Sequence, residues 1–151
     1  MKLIYVTFLA WIICNTANAS LEKPLNTVIK GNNVCIYTND KRSQPYDGRV
    51  YVYIGELDSV KGYIGGGYEK LYKNIKAPIN QLDCLSINVS NFKSNVPYHV
   101  SLDMISSYAT RICIDKGKKP FILKKVANGF ECESGVSDTH KKGFFQRWFE
   151  W

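Results

Sequence analysis

Apolar and polar side chains alternate with a period of two through most of the chain, in short runs cut by turn-forming clusters. Two of these runs are built around cysteines. In Asn32-Asn33-Val34-Cys35-Ile36-Tyr37-Thr38, Val34, Ile36 and Thr38 point one way, and Cys35 and Tyr37 the other. In Asp83-Cys84-Leu85-Ser86-Ile87-Asn88-Val89, Cys84, Ser86 and Asn88 stand opposite Leu85, Ile87 and Val89. A bond between Cys35 and Cys84 is expected to tie these two distant strands across one core.

The remaining runs follow in order. Residues 26–30 predict a short first strand, after a loose leader over 20–24. The polar stretch 39–48 predicts a loop. Arg49 to Gly55 reads as a strand with Val50, Val52 and Ile54 inward and Tyr51 and Tyr53 outward. Residues 56–67, with Gly62, Gly65, Gly66 and Gly67, are the least regular part and are expected to form a flexible hairpin tip. They are not a phosphate loop, since no Gly-Lys-Ser/Thr ending or βαβ pattern accompanies them. Residues 68–75 read as a strand in preference to a short helical turn. Pro97 to Ile105 is the longest alternating run, with Tyr98, Val100, Leu102 and Met104 on its apolar face. A three-stranded meander follows over 108–132, turning at 115–119 and again at Asn128-Gly129. It places Cys113 and Cys132 on strands expected to be neighbours. The absence of helical periodicity predicts an all-β fold. The expectation is a small antiparallel β-sandwich, immunoglobulin-like or Greek-key, with a barrel as the alternative closure.

Composition changes the picture at the two ends. Lys2, the apolar run from Leu3 to Cys14 and Ala17-Asn18-Ala19 read as a secretory signal over residues 1–19, cleaved before Ser20. A lipoprotein signal acylated on Cys14 is the rival, but Ile13 is a poor residue to precede an acylated cysteine. Residues 20–133 then form the β-sandwich domain, and residues 134–151 a basic aromatic tail ending Phe144-Phe145-Gln146-Arg147-Trp148-Phe149-Glu150-Trp151. Such a tail is suited to a membrane surface, a partner or the domain itself. The full chain carries a formal charge of +7; without residues 1–19, which contain Lys2 and no acid, it carries +6. A basic surface can attract nucleic acid, anionic lipid or an acidic protein partner, and export ranks nucleic acid last of the three; the expected partner is a protein with an acidic surface.

Apart from Cys14, four cysteines remain: Cys35, Cys84, Cys113 and Cys132. An even number in an exported chain predicts two disulfides. Of three connectivities, strand alternation and the meander favour Cys35–Cys84 and Cys113–Cys132. A chain-entropy treatment gives these loops about 4 and 3 kcal/mol respectively. Zinc is disfavoured because no C-x-x-C pair occurs. No cofactor or metal is expected.

The candidate chemistry is sparse. His99, Ser101 and Asp103 share one strand face, where neighbours are about 7 Å apart, too far for a triad that needs contacts near 3 Å. His140, the other histidine, lies in the tail. No catalytic set emerges, so a binding protein is expected rather than an enzyme. Tyr51, Tyr53, Tyr63 and Tyr68 are the candidate partner-binding residues, because tyrosine gives large amphipathic contact at low entropy cost. Lys61 and Lys70 are expected to rim them.

The cysteine frame resembles a family: the periplasmic type VI secretion immunity proteins of Gram-negative bacteria, which are mostly lipoproteins. The resemblance rests on Gly31-Asn32-Asn33-Val34-Cys35-Ile36, Cys84-Leu85 and Pro97-Tyr98-His99-Val100. It continues in Arg111-Ile112-Cys113-Ile114-Asp115-Lys116 and Phe130-Glu131-Cys132, and so covers about residues 25–133. The chain departs from the family in lacking a lipoprotein box at Cys14 and in running on past the closing cysteine. The resemblance implies a periplasmic β-sandwich that neutralises an incoming toxin by binding it. A module recognising envelope glycan or lipid surfaces is the alternative.

Overall fold

A computed structural model describes residues 22–134. The signal expected over residues 1–19, Cys14 within it, and all but the first residue of the tail lie outside the described residues. Ten strands run in chain order: β1 Lys23–Pro24, β2 Asn26–Lys30, β3 Asn33–Tyr37, β4 Arg49–Asp58 and β5 Gly62–Lys73. They continue with β6 Leu85–Asn88, β7 Tyr98–Asp103, β8 Ser107–Asp115, β9 Ile122–Ala127 and β10 Glu131–Cys132.

The strands form two sheets. The larger has the order β10-β9-β8-β7-β4-β5, with β1 joining the edge of β8; the smaller has the order β2-β3-β6. All pairings are antiparallel except β1 with β8. The inner faces share one core. Val34, Ile36 and Ile87 of the small sheet, with Leu25, Val89 and Phe92, meet Val50, Val52, Ile54, Tyr98, Val100, Leu102, Tyr108, Ile112 and Ile114. The directions expected for β3, β4 and β7 therefore hold, with the inward set of each strand in the shared core; on the opposite face Cys35 and Ser101 are buried as well.

Four expectations change. Residues 23–24, taken for a loose leader, form β1 alongside Tyr108–Ala109 of β8. The glycine-rich segment is not a hairpin tip but the first half of β5. The tip is Ser59-Val60-Lys61, whose Val60 and Lys61 N–H groups both donate to Asp58 Oδ1 at 2.8 Å.

The disulfides are Cys35–Cys84 and Cys113–Cys132. The first does not cross the core, because β3 and β6 are neighbours in the small sheet. Nor are β8 and β10 neighbours, since β9 lies between them. Strands one removed in a flat sheet lie about 9.5 Å apart, yet the Cα atoms of Cys113 and Cys132 are 5.8 Å apart. β10 must therefore fold over the outer face of β8. This explains why Cys113, on the face opposite Ile112 and Ile114, is fully buried.

The two sheets are joined at one end by Asp40, in the loop after β3. Its carboxylate accepts hydrogen bonds from Arg42 N (2.9 Å), Tyr108 Oη (3.0 Å) and Lys23 Nζ (3.1 Å). The Arg42 N–H first, then Lys23, hold its pKa down at about 2. Its support for the fold is therefore complete above the ordinary carboxylate range and is lost as pH falls from about 4 through about 2. Asp40→Asn should lower the melting temperature at neutral pH, and the gap from the parent should close as pH is taken down through that window. A gap that stays constant would show that ionised Asp40 does not hold the sheets.

Candidate functional site

Register fixes which side chains share the outer face of the large sheet. Opposite the buried Val50, Val52 and Ile54, strand β4 presents Arg49, Tyr51, Tyr53 and Gly55. Opposite the buried Tyr98, Val100 and Leu102, β7 presents His99, Ser101 and Asp103. Pairing then sets Tyr51 beside Leu71 and Asp103, Tyr53 beside Glu69 and Ser101, and Gly55 beside His99. His99 is in turn paired with Arg111 of β8.

These positions are linked across four strands. The rings of Tyr53 and Tyr63 lie 5.4 Å apart, and Tyr63 meets His99 edge-on at 6.1 Å. Beyond His99, the Arg111 guanidinium lies 5.7 Å from the ring of Phe130 and donates to Gly129 O at 3.1 Å. The result is a row of π surfaces and one cation, Tyr53–Tyr63–His99–Arg111–Phe130. Tyr63 is 43 % exposed and Leu71 44 %, so the β5 end of the row is open to a partner.

Two glycines make the row possible. A Cβ on Gly55 would lie 2.2 Å from the Tyr63 hydroxyl, so the ring occupies the space a side chain would fill. A Cβ on Gly67 would lie 1.7 Å from the carbonyl oxygen of Ile54. The β4–β5 register shifts here, between Ile54 and Glu56. The glycine-rich half of β5 is thus a bulged strand whose backbone presses close to β4.

Of the four tyrosines expected to bind a partner, Tyr51, Tyr53 and Tyr63 come together on this face. Tyr51 donates to Glu69 Oε2 at 2.7 Å, and this bond raises its pKa. Tyr68 does not join them. Paired with Ile54, it turns to the inner side, packs against the core and shares a 3.4 Å hydrogen bond with Tyr72. Burial, then that bond, push its pKa up to about 12. Lys70 also faces inward, opposite Val52, with its ammonium 4.6 Å from the Tyr72 ring centroid, so it does not rim the tyrosines. Alternation alone could have placed His99 and Arg111 on this face. Leu71 and Phe130 carried no comparable signal.

The charge on the face is mixed. Glu22, Glu69 and Asp103 flank the row, and Glu22 Oε1 lies 3.8 Å from His99 Nε2. Arg49 and Lys73 stand at the far end of β4 and β5. Lys116, Lys118 and Lys119 gather instead in the turn between β8 and β9. His99, Ser101 and Asp103 share the face as alternation required, and no hydrogen bond joins them among the described residues. Nor do the described residues contain a group of three His, Cys, Asp or Glu able to hold a metal. A groove of about 700 Å³ lined by Pro45, Ile75, Ala77, Ile79 and Leu85, together with Lys76 and Asp83, is mainly apolar. No family model, curated protein or solved structure matches the chain.

The two glycines predict opposite responses. Gly55→Ala meets a movable ring and also removes a glycine from a strand, which by itself returns about 0.5–1 kcal/mol. It should leave urea stability nearly unchanged while breaking the Tyr63–His99 contact, seen as a change in the His99 ring resonances. Gly67→Ala meets backbone and should cost about 1–3 kcal/mol. Equal costs at the two positions would contradict this account of the close approach.

Proposed function

We propose that the chain is an exported, periplasmic binding protein that neutralises a cognate toxin by direct contact, as the type VI secretion immunity proteins it resembles do. The contact surface is the outer face of the large sheet, centred on Tyr53 and Tyr63 and flanked by Tyr51 and Leu71. The observation that carries this reading is the row itself. Aromatic side chains are already ordered against one another on an open face, so little rotamer freedom remains to be lost on binding. Tyrosine and arginine are also the side chains most often found at the energetic centre of interfaces.

Other features support the reading. The two disulfides fit an oxidising compartment, and residues 1–19 read as an export signal. Among the described residues, no helix is long and apolar enough to cross a membrane. The positive charge of the exported chain would steer it toward a toxin with an acidic surface, while the aromatic row would supply most of the affinity. A second reading has one observation in its favour. Tyrosines with Glu69 and Asp103 beside them also offer an envelope glycan a stacking surface with hydrogen-bond acceptors.

The triple variant Tyr51→Ala, Tyr53→Ala, Tyr63→Ala should keep its circular dichroism spectrum and lose protection. An anchor worth about 2 kcal/mol corresponds to about 30-fold in Kd, so binding to the toxin should fall by at least that factor. Survival of cells expressing the periplasmic toxin from the neighbouring gene reads the outcome. A folded triple variant that still protects fully would remove this face from the interaction. Retention of the parent, but not the variant, on envelope glycan without any toxin would favour the second reading. Lys118→Glu with Lys119→Glu should mainly slow association and flatten its salt dependence.

A further inference from the structure

The row of π surfaces does not stop at the tyrosines. It runs across the sheet to Phe130, two residues before the point where Cys132 fastens the chain to β8. The chain therefore leaves the domain on the same face that carries Tyr53 and Tyr63. From Ser134 it continues for 17 residues to Trp151.

That segment suits this face in reach, chemistry and charge. From β8 to β5 is three strand spacings, about 14 Å. The ten residues from Ser134 to Phe144 can span about 33 Å when extended, so the aromatic end reaches every part of the row. The segment carries Phe144, Phe145, Trp148, Phe149 and Trp151, which match the exposed Tyr63 and Leu71. Its three cations, Lys141, Lys142 and Arg147, outnumber its two acids, Asp138 and Glu150. The face offers Glu22, Glu69 and Asp103 beside the row, and Glu69 and Asp103 take part in no ion pair among the described residues.

We propose that the chain's own C-terminal segment, residues 144–151, docks on the Tyr53–Tyr63–Leu71 part of the outer sheet face and covers it until a partner displaces it. The inference deepens the proposed function, since the segment would occupy the surface assigned to the toxin. The two fail separately, because docking is read without toxin and protection is read in cells.

The sequence supplies a built-in reporter. Its three tryptophans are Trp11, Trp148 and Trp151. In the chain beginning at Ser20, all tryptophan emission therefore comes from the segment in question. The expected result is an emission maximum to the blue of free indole and weak quenching by acrylamide. Both should move toward free indole in Tyr53→Ala with Tyr63→Ala and in Leu71→Ser, and both should stay in place in Tyr53→Phe with Tyr63→Phe. Trp148→Ala with Phe149→Ala should leave the fold intact and bind the toxin at least as tightly as the parent.

Emission like free indole in the parent would overturn the proposal. So would a blue-shifted emission that the face variants leave unmoved, which would seat the segment elsewhere. A blue shift that appears only on adding anionic phospholipid vesicles would assign the segment to a membrane. One that grows with protein concentration would assign it to the face of a second copy. Either would overturn docking within one chain.

Discussion

Asp40 holds the end of the molecule where the two sheets have to agree. Tyr108 is buried to 1 % exposure in the shared core, and its hydroxyl needs an acceptor there, because an unpaired buried polar group costs about 1–3 kcal/mol. Asp40 supplies that acceptor from the loop after β3, and the same carboxylate takes Lys23 of β1 and the N–H of Arg42. The chain crosses between sheets at this point. Pro24 pairs with β8, Leu25 N–H still donates to Ala109 O, and Asn26 already pairs with Tyr37 of β3. With this crossing fixed, the inner faces are committed to one another and the outer face of the large sheet is left for something else.

What that face can do follows from two missing Cβ atoms and one covalent tie. Gly67 lets the β5 backbone close on Ile54, and Gly55 leaves the slot that Tyr63 fills against Tyr53 and His99. The Cys113–Cys132 bond then brings Phe130 to Arg111, so that the row extends from the edge strand to the point of chain exit. Side chains held in this way bind through pre-arranged surface more than through titrating groups. The pKa shift on the face agrees: the hydrogen bond to Glu69 raises Tyr51, which stays a neutral donor.

Much of this was legible in the chain. Alternation identified the inner faces of β3, β4 and β7, and the meander and cysteine spacing gave both disulfides and the all-β class. A period of two is the direct consequence of shielding one face of a strand, so local sequence carries it. It also put Tyr51 and Tyr53 outside. It failed at Tyr68, which pairs with the inward Ile54; Tyr63 and Tyr68 are five residues apart, so once Tyr63 lies outside, alternation along β5 turns Tyr68 to the inner face.

Local sequence thus determined which residues alternate, which cysteines pair and which segments turn, since each depends on neighbours along the chain or on the chemistry of a single side chain. Tertiary structure alone decided that the glycines form a bulged edge strand rather than a tip. It also decided that the first disulfide lies within a sheet, and that β10 folds over β8. Above all it decided that Tyr63, His99, Arg111 and Phe130 form one row. These outcomes depend on contacts between segments tens of residues apart, where the space left by a missing Cβ on one strand is filled by a ring from another, and no pattern within either strand records that fit.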